Sequence, residues 1–115
     1  MMINLEGRKF VAVNNTGSGQ VGGQTVFHYH QQGTVVWADY AGGSITRGHL
    51  IAVVDAVNDY LQMRYHHIDI DGELRTGTCV SRVEILPDRR IRLHERWQWT
   101  SGDRSRGKSV LEEIP

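Results

Sequence analysis

The chain has 115 residues and a mass of 13.0 kDa, enough for one domain that buries a core without metal or disulfide staples. Its 13 Lys and Arg balance 13 Asp and Glu, so no whole-chain electrostatic footprint for nucleic acid or an anionic membrane is present. Cys79 is the single cysteine, which excludes an internal disulfide and suits a reducing compartment.

Met1 to Arg8 lacks the charged-then-apolar pattern of a signal peptide, and no apolar run approaches bilayer length. We therefore expect a soluble cytoplasmic protein without a membrane partner. Lys9 to Asn14 reads as a short strand, with Phe10, Ala12 and Asn14 on one face and Val11 and Val13 on the other. Asn15 to Gly23 is too glycine-rich for regular structure and reads as a flexible connection. It leads into a strand and has no Gly-Lys-Ser/Thr ending, so phosphate binding is not expected there.

Gln24 to Gln32 alternates Val26, His28 and His30 against Phe27, Tyr29 and Gln31. Gln32-Gly33 turns into Thr34 to Ala41, where both faces look buriable and the side taken by Trp37 stays open. Gly42-Gly43 leads to Ser44 to Asp55, in which Gly48 suggests a bulge or bend. After Asn58-Asp59, Tyr60 to Ile70 sets Leu61, Met63, Tyr65 and His67 against Gln62, Arg64 and His66. Asp71-Gly72 is a hairpin turn into Leu74 to Ile85, and Leu86-Pro87-Asp88 turns into the strand ending at Trp99. A polar loop, Thr100 to Arg106, precedes a last strand from Gly107 to Ile114.

About eight strands joined by short turns, with no helical periodicity, predict an all-β fold. Sequential hairpins favour an up-and-down meander, and closing it removes exposed edges. We expect one antiparallel β-barrel domain over residues 1–115, of the lipocalin or fatty-acid-binding kind (calycin-like).

The segment Arg90 to Trp99 carries the best functional clue. Ile91, Leu93, Glu95, Trp97 and Trp99 share one side, opposite Arg92, His94, Arg96 and Gln98. A core strand has no need of a carboxylate, so Glu95 marks a partly polar interior. Strand parity adds Phe27, Tyr29 and Gln31, and then Met63, Tyr65 and His67. In each group polar tips ride on an apolar face, as in the lining of a small-molecule pocket. A buried Glu95 needs a partner or a raised pKa, and with Tyr65 or His67 nearby it can serve as general acid or base.

Other constellations point to less. Arg89, Arg90, Arg92 and Arg96 read as solvated arginines on an outer face. His28 and His30 point the same way, but the carboxylate of a cupin-type metal site is missing and Phe27 and Tyr29 claim the inside. We therefore expect both histidines to face water, with no metal and no cofactor. Cys79 reads as a small buried residue, and no Gly-x-Ser-x-Gly elbow occurs.

The chain resembles a family of short bacterial proteins. The resemblance runs through Gly7-Arg8-Lys9-Phe10, Thr25 to Gly33, Val36 to Gly43 and Glu84 to Thr100. Members often carry the label N-acetylglutamate synthase, which implies an α/β acetyltransferase with a strand-to-helix turn around the acetyl-CoA pyrophosphate. This chain offers neither that turn nor the helix to follow it, so we do not expect that activity.

Three functions fit these features. The first is a carrier or sensor for a small apolar ligand, lined by Phe27, Tyr29, Gln31, Met63, Tyr65, His67, Glu95, Trp97 and Trp99. The second is a small-barrel enzyme with Glu95 as acid or base. The third is an interaction module with a filled core, whose outer face meets a partner or a second copy of the chain as a homodimer. A complete catalytic set is missing, so the carrier ranks first.

Overall fold

A computed structural model describes residues 3–115. Its eight strands are β1 (Lys9–Asn15), β2 (Val26–Gln32), β3 (Val35–Gly42), β4 (Ile45–Asp55), β5 (Tyr60–Asp69), β6 (Leu74–Ile85), β7 (Ile91–Trp99) and β8 (Arg106–Glu113). Each strand pairs antiparallel with the next, and β8 returns to β1 to close an up-and-down barrel of the calycin type. The described residues contain no helix, and therefore none long and apolar enough to cross a membrane.

Strand alternation decides what faces inward. On β5, Leu61, Met63, His67 and Asp69 are buried while Gln62, Arg64 and His66 are exposed. On β7, Ile91, Leu93, Trp97 and Trp99 are buried. The turn at Asp71-Gly72 uses a left-handed glycine, with φ of 80° at Gly72. Asp69 Oδ1 accepts the backbone N–H groups of Asp71 and Glu73 across that turn, each at 3.0 Å. Asp55 Oδ1 does the same for Val57 and Asn58 in the β4–β5 turn.

Several details differ from the sequence reading. In β1 the pairing with β8 slips between Ala12 and Asn14. Val13 is the extra residue, so Asn15 rather than Asn14 joins Phe10 and Ala12 inside. In β4 the irregularity lies between Ile45 and Arg47, not at Gly48. Gly48 stays in register opposite Tyr40, where a Cβ would overlap the Tyr40 ring. Trp37 settles outward and stacks on His30, with ring centroids 5.6 Å apart. Val36, Ala38 and Tyr40 take the inside.

His28 is exposed and His30 half-buried, both on the outer face. Of the arginine edge, Arg89 and Arg96 are exposed, while Arg90 and Arg92 are paired. Arg90 meets Asp88 at 2.7 Å, and Arg92 meets Glu112 at 3.0 Å. Such half-exposed pairs contribute little to stability individually, and they reduce the local positive charge.

The barrel half nearer the β2–β3, β4–β5 and β6–β7 turns is solid. Leu5, Phe10, Val36, Leu61, Leu93 and Leu111 are all fully buried there. Gln31 belongs to this end. Its Oε1 accepts the Leu5 backbone N–H at 2.8 Å, and its Nε2 donates to the carbonyls of Ile3 and Gly33. The expectation that Gln31 lines an internal pocket is thereby corrected: its amide instead ties the N-terminal segment over the filled end.

Candidate functional site

The opposite half of the interior holds a cavity of about 40 Å³, room for roughly two or three water molecules. Aromatic side chains dominate its walls: Phe27 from β2, Tyr40 from β3, Tyr65 from β5, and Trp97 and Trp99 from β7. Met63 and Leu50 fill the gaps between them, and Cys79, Glu95 and Ser109 add polar atoms. Three of these rings lie across cross-strand glycines. Tyr40 is paired with Gly48, Tyr65 with Gly77 and Trp97 with Gly107. A Cβ at any of the three would overlap the ring, so the glycines are the space into which the rings fold back.

The segment between β1 and β2 closes the mouth. The sequence reading made it a flexible connection, but its polar side chains moor it to the barrel. Trp97 Nε1 donates to Asn15 Oδ1 at 3.0 Å, and Trp99 Nε1 donates to Ser18 Oγ at 3.3 Å. Asn15 Nδ2 donates to the Val21 carbonyl at 3.0 Å. Gln20 reaches furthest in, between His67 and Asp69.

Those contacts form an ordered relay. The Tyr40 hydroxyl donates to His67 Nδ1 at 2.9 Å, and His67 Nε2 donates to Gln20 Oε1 at 2.7 Å. Gln20 Nε2 donates to Asp69 Oδ2 at 3.0 Å, and Arg75 Nε donates to the same oxygen at 3.1 Å. This direction requires a neutral imidazole. Burial supplies it, lowering His67 to about 4 despite the opposing pull of Asp69. The hydrogen bond from Gln20, with those of the Glu73 backbone and Arg75, holds the Asp69 carboxyl well below the usual carboxylate range. The Arg75 guanidinium also lies 5.5 Å from the Trp99 ring centroid.

Glu95 sits deeper, between its cross-strand neighbours Ser81 and Ser109. It keeps partial accessibility although protein surrounds it, because its free surface borders the cavity. Burial pushes its carboxyl up to about 7, and the hydrogen bond donated by Ser109 Oγ at 3.1 Å only partly offsets that rise. The Tyr29 hydroxyl is buried without a hydrogen-bond partner, whereas the buried Ser81 hydroxyl lies against the Glu95 carboxyl and works with Ser109 to lower its pKa. Burial also raises the pKa of Tyr29, Tyr40, Tyr65 and Cys79, so all four are neutral at ordinary pH.

An avidin-like protein family profile matches residues 3–114. The chain belongs to the avidin-like family. The match spans every motif segment named above, while no curated protein and no solved structure matches the chain significantly.

Most of the side chains that sequence parity assigned to the interior of this avidin-like barrel gather at the cavity: Phe27, Met63, Tyr65, His67, Glu95, Trp97 and Trp99. Tyr29 is interior but lies beyond the cavity wall, packed edge-on against Phe10 at 5.0 Å. The expected pairing of Glu95 with Tyr65 or His67 does not form. Ser109 is the bonded partner, and His67 is committed to Tyr40 and Gln20.

Sequence reasoning missed Gln20, Asn15, Tyr40 and Ser109. For Tyr40 and Ser109 a signal existed, since each stands two residues from an inward aliphatic, Ala38 and Leu111. For Asn15 the β1 bulge hid it. Gln20 carried none, because its place depends on how a glycine-rich loop folds back.

Proposed function

We propose that this avidin-like barrel binds a small, mainly apolar ligand in the cavity, with Glu95 fixing a polar group and the β1–β2 segment as a cover. The observation that carries the reading is a cavity with aromatic walls, a few fixed polar groups and an enclosed carboxyl. That is the composition of a ligand site rather than of a packed core. An avidin-like barrel typically holds a small ligand, which agrees. A molecule the size of biotin exceeds the space as it stands, so a ligand of that size requires the segment carrying Gln20 to move.

A second reading makes Glu95 the acid or base of a small-barrel enzyme, and the carboxyl near pH 7 favours it. Catalysis by that route calls for a proton partner beside the carboxyl. Glu95 is bonded to Ser109, not to a tyrosine or histidine, and we rank binding above catalysis for that reason.

Native mass spectrometry of the protein purified from its own host, before and after denaturation, tests the proposal. We expect either a stoichiometric small molecule that is lost on denaturation or, for a ligand too weak to survive purification, xenon density in the cavity of the bare protein. A bare polypeptide mass, together with no density for pressurised xenon in the cavity, refutes it.

A further inference from the structure

Among the described residues, Glu95 is an enclosed acid with no cation beside it. The ionisable groups that face it are Tyr29 from β2, Tyr40 from β3, Tyr65 from β5 and Cys79 from β6, all neutral acids. Asn15 from β1, Leu50 from β4 and Ser109 from β8 bring no charge to the cavity. The only imidazole in the cavity, His67, is held neutral and already spends both nitrogens on Tyr40 and Gln20. Arg75, the basic side chain over the Trp99 ring, is bound to Asp69 and Glu73. Among the described residues, nothing positive in the cavity lining is free to receive an anion.

The rest of the lining has the opposite preference. Aromatic faces attract cations and repel anions, and five rings border this space. Beside the carboxyl, Ser109 Oγ lines the cavity and donates its proton to Glu95 at 3.1 Å. A hydroxyl has lone pairs to offer an N–H donor, and an ammonium group carries three donors and no acceptor.

We propose that the cavity receives a compact organic ammonium ion, with Glu95 as its counter-ion and the rings of Tyr65, Trp97 and Trp99 around its carbon atoms. This rests on the ligand-binding reading above and narrows it to a chemical class. The small volume limits the cation to a few heavy atoms, and ligands of that size bind at best near millimolar strength. Binding is coupled to deprotonation of Glu95. The cation needs the carboxylate, so affinity holds above about pH 7 and falls as pH drops below it.

The test is a titration of the ¹⁵N-labelled full chain with ethylammonium chloride, followed by amide and Trp indole N–H shifts. Ethanol serves as the uncharged isostere and acetate as the anion. We expect saturable shifts at Glu95, Trp97 and Trp99 with ethylammonium, at least tenfold weaker binding of ethanol and acetate, and roughly tenfold loss from pH 8 to pH 6. Glu95→Gln should abolish binding while the spectrum stays dispersed, and Glu95→Asp should keep part of it. If Glu95→Gln does not fold, the pH titration of the native chain decides alone. Equal binding of ethanol and ethylammonium overturns the ammonium class and leaves a cavity binder. No shift with ethylammonium overturns the ammonium class, and xenon occupancy of the cavity then decides the ligand-binding reading separately.

Discussion

Glu95 and His67 share one cavity, yet burial moves them in opposite senses with respect to proton binding. Glu95 rises from 4.5 to about 7 and His67 falls from 6.5 to about 4. An acid with a raised folded pKa holds its proton in the native state after the unfolded chain has lost it. Its contribution is full below 4.5 and is lost as pH rises to about 7, a span worth roughly 3 kcal/mol for an enclosed group. A histidine with a depressed pKa does the reverse. Its contribution is full above 6.5 and is lost as pH falls toward 4.

Between 4.5 and 6.5 the two slopes therefore oppose each other. Calorimetry across that window should show a melting temperature that varies little in the native chain. It should climb with pH in Glu95→Gln and fall with pH in His67→Gln. A Glu95→Gln profile parallel to the native one would show that the carboxyl is not enclosed.

Among the connections, the one between β1 and β2 differs from the tight turns. It is held by the side chains of Asn15, Thr16, Ser18 and Gln20 and one backbone bond from Thr16 to Lys108, and Gln20 alone makes two of its bonds to the barrel. Removing them costs about 1–2 kcal/mol, which multiplies the open fraction roughly 5- to 30-fold. Cys79 reports on that opening, because it borders the cavity and is only 4 % exposed. Gln20→Ala should raise the rate of Cys79 alkylation by maleimide within that range, with the melting temperature little changed. An unaltered rate would place the entrance elsewhere.

This element is also where the sequence said least. Period two identifies a strand and its inward face from the residues alone, as it did for β5 and β7. A glycine-rich segment has no such period. The bulge at Val13 then shifts parity by one, and a single unseen residue exchanges Asn14 for Asn15 at the mouth.

The barrel as a whole follows from features the sequence does display: eight runs of alternating residues, tight turns at Gln32-Gly33, Gly42-Gly43 and Asp71-Gly72, and no long crossover. The closing pair is the exception, since the β1–β8 register links residues as far apart as Phe10 and Glu113. No local pattern encodes it. What fixes it is the requirement that neither edge be left unpaired. Placement of the cavity was half legible, because parity named the wall residues but not the level at which the interior stops being filled.

The glycines opposite the rings act at this scale, through the width of the barrel. Gly48→Ala, Gly77→Ala or Gly107→Ala each forces a methyl against Tyr40, Tyr65 or Trp97. Chemical denaturation should show each variant weakened by about 1–3 kcal/mol, and losses below about 0.5 kcal/mol in all three would mean the rings have free room to move.

The displaced ring has only the cavity to enter. Selectivity by ligand size is thus governed by positions that never touch the ligand. A lineage, or an engineer, can narrow the bore from three independent walls one carbon atom at a time, leaving Glu95 and every aromatic contact in the sequence unchanged.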